Sequence, residues 1–130
     1  MTRRTVLSAT LLLYLALVGW ITLDPAPPDT AVNPWLLRFL EVVPIGYDTL
    51  EFVANIGMFV PIGILITLLA GHWWLALAAG VALTCGIEFT QQFLPARFTE
   101  VRDLLANSLG AAIGALAVVA AARLRRRRTE

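Results

Sequence analysis

Four long apolar segments, separated by short polar ones, dominate the pattern along the chain. They lie at about 6–23, 52–70, 73–94 and 104–122. A bilayer core about 30 Å thick needs roughly 20 apolar residues in a helix that rises about 1.5 Å per residue. We expect helices, because an open sheet would leave backbone groups unpaired in lipid. The pattern predicts an all-α protein, a four-helix transmembrane bundle in a single domain over 1–130.

The composition supports a membrane class over a soluble one. Of the 130 residues, 58% are hydrophobic and 15% are charged. Soluble chains are about 45–50% apolar and about a quarter charged, so a soluble domain could not bury this much apolar surface. The start "TRRTVL" is similar to a twin-arginine signal. However, the apolar run after it is long for a signal and lacks a small-x-small cleavage site, which favours an uncleaved helix.

The arginines predict the orientation of the bundle. All ten basic residues are arginines, and seven lie near the N-terminus or in the tail 123–130. The other three are Arg38, Arg97 and Arg102. We expect the chain to lie in the plasma membrane. The positive-inside rule then places both termini in the cytoplasm. We interpret the tail as this topology signal, with the bilayer as partner and no nucleic acid.

This orientation leaves a long outer loop and a tight inner turn. The outer loop covers 24–51, and its apolar part "PWLLRFLEVV", from Pro34, predicts a short helix lying in the interface. The inner turn is "GHW", between the second and third segments. The first helix has no polar side chain between Tyr14 and Thr22, so we expect it to be peripheral in the bundle.

Polar pairs one helical turn apart stand near the outer ends of the other three segments. An acid within a span costs at least about 2.5 kcal/mol unless it faces the bundle interior or water. Residues three or four positions apart share a helical face. We therefore expect these side chains to converge in an outward-facing pocket. The pairs are Glu51 with Asn55, Glu88 with Gln91, and Asp103 with Asn107.

Two arginines, Arg97 and Arg102, lie next to these acids in the sequence. They could neutralise Glu88 or Asp103 and keep the carboxylate ionised. Their planar guanidinium groups could instead hold an anionic head group by paired hydrogen bonds. A third alternative is an ordinary interfacial arginine that reaches towards water.

Small residues and a proline predict how the helices pack. The stretch "GAAIG", from Gly110 to Gly114, is a small-xxx-small motif that lets another helix backbone approach closely. In the second segment, Pro61 and Gly63 should break or bend the helix, because proline removes a backbone hydrogen bond.

The motifs "NIGMFVPIG", "IEFTQ", an arginine, and "RDLLANSLGAAIG" follow one another within the range from Asp48 to about Ala117. In this the chain resembles the VanZ-like family of small bacterial membrane proteins. The resemblance implies a multi-pass protein of the plasma membrane. The founding member lowers susceptibility to the glycopeptide teicoplanin, whereas many relatives have no link to resistance. This chain has Thr99 and Glu100 where the family often has an aspartate. The recurring family residues correspond here to Asn55, Phe59, Pro61, Gly63, Glu88, Gln91, Arg97, Asp103, Asn107, Gly110 and Gly114.

Three functions fit these residues. In the first, the pocket recognises a cell-envelope or lipid-linked ligand without reacting with it, since apolar walls with a few polar groups suit a ligand. In the second, a membrane enzyme acts on a lipid or cell-wall precursor, with Glu88 or Asp103 as general base and Arg97 as anion clamp. No nucleophile stands beside a base, and Ser108 is the nearest hydroxyl. In the third, Glu88 carries protons in a transporter, which would need a homo-oligomer to enclose a path.

No cofactor or metal is predicted. Hard cations such as Mg²⁺ and Ca²⁺ bind oxygen ligands, and the acids of the outer ends could supply them. Their spacing in the sequence does not favour such a site. The lone cysteine, Cys85, lies inside an apolar run and cannot form an intramolecular disulfide.

Overall fold

The computed structural model describes residues 2–23, 46–94 and 100–129. Within them the chain forms four helices and no strand. All four are long and apolar enough to cross a membrane. The predicted all-α class with four spans is therefore confirmed. The interfacial helix predicted from Pro34 and most of the outer loop lie outside the described residues. The helices are α1 (Arg3–Thr22), α2 (Tyr47–Ala70), α3 (Trp73–Gln91) and α4 (Val101–Arg127).

Two helices extend beyond the ends predicted from hydropathy, since each also includes polar residues next to its apolar run. α2 begins at Tyr47, five residues before the predicted start at 52, so it carries Asp48 in its first turn. An acid there interacts favourably with the helix dipole. α4 continues to Arg127, through most of the segment predicted as a tail. Arginine is a good helix former, and cations stabilise the C-terminal end of a helix.

The other two helices follow the apolar pattern more closely. α1 starts three residues before the predicted position, where the side chain of Thr2 caps it by accepting a hydrogen bond from the Thr5 backbone. α3 ends at Gln91, three residues short of the predicted 94. A proline disfavours the helical conformation of the residue before it, and Pro95 follows Leu94.

The predicted tight turn joins α2 to α3. Gly71 ends α2 in the left-handed region, with φ of 74°, a conformation that favours glycine. His72 then occupies the N-cap position of α3, without a capping bond from its side chain. Successive helices therefore run in opposite directions, so each end of the bundle holds the start of some helices and the end of others. One end, here called the polar end, holds the last turn of α1 and the first turns of α2 and α4. The other, the arginine end, holds the arginines of both termini.

The closest packing is between α2 and α4, where backbones touch. A Cβ atom added at Gly110 would collide with the Ile56 carbonyl oxygen, and one at Gly114 with that of Val60. Gly63 faces the backbone of Ala111 in the same way. The small-xxx-small stripe therefore lies in the α2–α4 interface. The buried face of α4 consists of Ala106, Asn107, Gly110, Ala111, Gly114 and Ala115.

Pro61 does not break α2, contrary to one of the two predicted outcomes. The helix runs without interruption from Tyr47 to Ala70. Because proline has no N–H, the carbonyl group of Gly57, four residues earlier, loses its helical donor. At the neighbouring Met58 carbonyl a donor arrives from another helix, since the Tyr14 hydroxyl donates to it over 3.0 Å.

α1 is peripheral along most of its length but not at three positions. Only 6% of its span is buried, against 33% of the α4 span. Its exposed leucines, such as Leu12 and Leu13, suit contact with lipid. Val18, however, is 1% exposed and belongs to the core with Phe59. α1 is therefore peripheral, as expected, and joins the bundle at Tyr14, Val18 and Thr22.

Candidate functional site

A pocket of about 200 Å³ opens at the polar end and receives residues from all four helices. We call it the polar pocket. Its apolar walls include Ile21 of α1, Met58 of α2 and Ile87 of α3. All six residues of the polar pairs predicted from the sequence line it, as does Thr22 of α1. The six residues of the pairs are Glu51, Asn55, Glu88, Gln91, Asp103 and Asn107.

Side-chain hydrogen bonds between helices fix the two asparagines. Asn55 Nδ2 donates to Asp103 Oδ1 over 2.9 Å and so joins α2 to α4. Asn107 Nδ2 donates to Thr84 Oγ1, also over 2.9 Å, and joins α4 to α3. Thr84 and Asn107 are both buried. The amide nitrogen of each asparagine is therefore held by a side chain of another helix.

Gln91 serves as a tie between helices. Its Nε2 donates to the backbone carbonyl of Thr22 over 2.8 Å. The last carbonyl groups of a helix have no donor within that helix, so α3 supplies one to the end of α1. Gln91 was predicted as a pocket residue, and in the structure its amide nitrogen bonds to the backbone of α1.

Two buried acceptors in the polar pocket have no donor among the described residues. They are Glu88 Oε2 and Asn107 Oδ1. Glu88 is 6% exposed and Asn107 is 3% exposed. A buried polar atom without a hydrogen bond costs about 1–3 kcal/mol, and such atoms are rare in native proteins. These two oxygens are therefore the feature of the pocket that most needs a partner.

The electrostatics of the polar pocket are acidic. Asp103 is close enough to both Glu88 and Glu51 for their like charges to interact. Glu100 adds a further negative charge near both, while its backbone amide is a hydrogen-bonding neighbour of the Glu88 carboxyl group. Such an arrangement favours a cation or a hydrogen-bond donor over an anion.

Of the two arginines predicted beside the acids, the structure describes Arg102 and not Arg97. Arg102 is held at the first turn of α2, where its guanidinium donates to the Asp48 carbonyl oxygen and lies 3.9 Å from the Asp48 carboxylate. Its Cζ also lies 5.3 Å from the Phe52 ring centre. These contacts join the first turn of α4 to the first turn of α2, and the three roles considered for Arg102 from the sequence stay predictions. Arg97 falls at 95–99, outside the described residues.

Several residues of the polar pocket escape prediction from the sequence. Ile21 and Thr22 come from the helix that was expected to be peripheral, and Thr22 is the last polar residue of that span. The Thr22 hydroxyl donates to the Val18 carbonyl of its own helix over 2.8 Å. Ser108, the hydroxyl considered for the enzyme alternative, is not among the lining residues. Within the described ranges, no three His, Cys, Asp or Glu side chains are placed to hold a metal ion.

Comparison with known proteins identifies the family and gives nothing finer. Neither the curated proteins nor the solved structures gave a match. The model of one family, VanZ/LLP1, matches residues 11–122. This range includes all the residues named above in the polar pocket and reaches into all four helices. The chain therefore belongs to the VanZ/LLP1 family, as its ordered motifs indicate.

Proposed function

We propose that this multi-pass membrane protein recognises a cell-envelope or lipid-linked ligand in the polar pocket. The observation that carries the proposal is the pair of buried acceptors, Glu88 Oε2 and Asn107 Oδ1, which have no donor in the described part of the chain. A ligand that supplies N–H or O–H groups to them would remove the cost of leaving them unpaired.

The chemistry of the pocket defines the part of the ligand that enters it. Glu51 and Glu88 bring carboxylate groups to the lining, so hydroxyl, amide or ammonium groups fit better than phosphate or carboxylate. A volume of about 200 Å³ is several times the roughly 30 Å³ that one water molecule occupies in the liquid. The pocket therefore suits a small polar group at the end of a larger molecule. Ile21 and Met58 in its walls suit the apolar remainder of a lipid.

The arginines support an outward opening for the pocket. Seven of the ten lie at the arginine end or in the segment that continues from it. By the positive-inside rule that end faces the cytoplasm, and the polar pocket then faces the cell envelope. The ligand is accordingly an envelope component on the outer side of the plasma membrane. Lower teicoplanin susceptibility is the phenotype we propose for cells that carry this chain.

A susceptibility assay tests this proposal in cells. Expression of the chain in a teicoplanin-sensitive bacterium should raise the inhibitory concentration. Glu88→Gln should abolish the rise while the protein still accumulates in the membrane, because glutamine keeps the shape but replaces one acceptor by a donor. Asp48→Asn makes the same charge change at an exposed position and should retain the effect. Equal protection by the Glu88→Gln variant would contradict a role for the pocket. No protection by the wild type would remove the glycopeptide part alone.

A turnover assay separates binding from the alternative of a membrane enzyme. The purified chain would be incubated with labelled membrane lipids and lipid-linked cell-wall precursors, and products would be sought by mass spectrometry. We expect the added molecules to be recovered unchanged, because the described lining of the polar pocket includes no serine, cysteine or histidine. A product that forms with the wild type and not with Glu88→Gln would show that the chain is an enzyme with an acidic general base.

A further inference from the structure

A second, larger concavity lies at the arginine end, about 430 Å³ in volume. It runs between the start of α1, the end of α2 and the last turns of α4. We call it the arginine groove. Three arginines edge it, and Leu68, Val118 and Val119 form its apolar walls. Gly71 has no side chain, and Ala122 has a small one, so neither fills the space. The three arginines are Arg3, Arg123 and Arg126.

The positive charge of the groove is not compensated by any described acid. All five acids in the described ranges, which are Asp48, Glu51, Glu88, Glu100 and Asp103, lie at or near the opposite, polar end. The described residues hold one ion pair, between Arg102 and Asp48, and it is at that end. Among the described residues, therefore, no acid forms an ion pair with the arginines of the groove.

Helix geometry directs two of these arginines to one face. Arg123 and Arg126 are three positions apart on α4, so their side chains project side by side. Arg3 approaches from α1. Guanidinium groups bind phosphate through paired hydrogen bonds, and two helices that converge on one anion fix its position.

The surroundings place the groove at the depth of lipid head groups. Trp73 and Trp74 begin α3 at the same end and are 51% and 53% exposed. Exposed tryptophans are enriched at the boundary between hydrocarbon and head groups. A molecule in the groove would thus meet arginines on one side and apolar walls on the other. This combination fits an amphiphile better than a soluble anion.

We infer that the arginine groove binds the phosphate head group of an anionic phospholipid, with Arg3, Arg123 and Arg126 on the phosphate and an acyl chain against Leu68 and Val118. Basic pockets between membrane helices are known to hold anionic lipid head groups. The inference concerns the end of the bundle opposite the polar pocket and does not depend on the function proposed for that pocket.

A lipid titration with a matched pair of variants tests the inference. The purified full-length chain in detergent would be titrated with phosphatidylglycerol, phosphatidylcholine or glycerol phosphate, and the bound lipid counted by native mass spectrometry. The first variant carries Arg123→Gln and Arg126→Gln. The second carries Arg125→Gln and Arg128→Gln, with the same charge loss and spacing but at positions that do not line the groove. Helix content and a single gel-filtration peak would establish that each variant is folded.

The expected result is specific in both lipid and position. Phosphatidylglycerol should bind the wild type at least tenfold more tightly than phosphatidylcholine does, and glycerol phosphate should not bind. The groove variant should lose about tenfold to thirtyfold in affinity, as expected for two arginines at a membrane surface. The second variant should stay within threefold of the wild type. Equal losses in the two variants, or equal binding of glycerol phosphate, would overturn the inference. If the double variant does not fold, Arg126→Gln alone should still lose about fivefold.

Discussion

At the scale of single residues, the amide of Asn107 has a satisfied half and an unsatisfied half. Its nitrogen donates to Thr84 Oγ1 inside the bundle, and its oxygen has no donor among the described residues. The spacing of Asp103 and Asn107 in the sequence predicts that both face the bundle interior, because residues one turn apart share a face. The partner of each atom is not predictable in this way. It depends on how far each helix is rotated and shifted along its neighbours, as the bond from Gln91 to Thr22 shows.

The bond between Asn107 and Thr84 should couple α4 to α3 measurably. In a double-mutant cycle with Asn107→Leu and Thr84→Val, we expect a coupling energy of about 0.6 kcal/mol and at most about 1.7 kcal/mol, the range for hydrogen bonds between membrane helices. Reversible unfolding in mixed micelles gives the four free energies of unfolding.

Thr90→Val is the control for this cycle. The Thr90 hydroxyl donates to the Gly86 carbonyl of its own helix and is exposed. The change should show no coupling to Asn107→Leu. If Thr90→Val coupled to Asn107→Leu as strongly as Thr84→Val does, the coupling would not report the bond between Asn107 and Thr84.

At the scale of helices, hydropathy predicts the spans but not their ends. The four apolar runs are long enough to cross a bilayer, and in lipid a helix is the form that pairs all the backbone groups of a single segment. The ends are different, because Asp48 and the arginines after Ala122 are polar yet helical. Favourable interaction with the helix dipole and high helix propensity extend the helices beyond the apolar runs. The course of α2 through Pro61 likewise depends on tertiary packing, which a local proline rule does not include.

The space around each glycine predicts different effects for a substitution in the α2–α4 interface and one outside it. Gly110→Ala should destabilise the bundle by about 1–3 kcal/mol, because the new methyl group would meet the Ile56 carbonyl oxygen. Gly86→Ala, on α3, would add a methyl group with nothing within 4 Å and should be neutral or stabilising by up to about 1 kcal/mol. Unfolding free energies measure both. If Gly110→Ala were tolerated as well as Gly86→Ala, the described contact of backbones would be wrong.

At the scale of the whole molecule, charge is divided between the two ends of the bundle. The described acids lie at or near the polar end, and the arginines of both termini lie at the other. The arginine counts alone predict which end faces the cytoplasm. The four-helix class could also be predicted from the sequence, because it depends on the composition and length of the apolar runs. The contribution of Ile21 and Thr22 to the polar pocket could not, since it depends on how α1 packs against helices that are distant in the sequence.

The orientation can be measured by cysteine labelling. In a Cys85→Ala background, Glu100→Cys should react with a membrane-impermeant maleimide on intact cells, and Arg126→Cys should react only after permeabilisation. Both positions are exposed at opposite ends of α4. The reverse pattern would place the polar pocket in the cytoplasm and remove the proposal of an outward-facing site.

The most direct test of the polar pocket is a comparison of ligand dissociation constants among three forms of the chain. Wild type, Glu88→Gln and Asp48→Asn in nanodiscs would be titrated with a panel of labelled envelope lipids and cell-wall precursors that differ in their hydroxyl and amino groups. A member of the panel with such donors should bind the wild type and Asp48→Asn equally, within a factor of about two. It should bind Glu88→Gln at least tenfold more weakly, which corresponds to about 1.4 kcal/mol for one charged hydrogen bond. Equal dissociation constants for all three forms, or no binding by any donor-bearing member, would contradict the assignment of a ligand to Glu88.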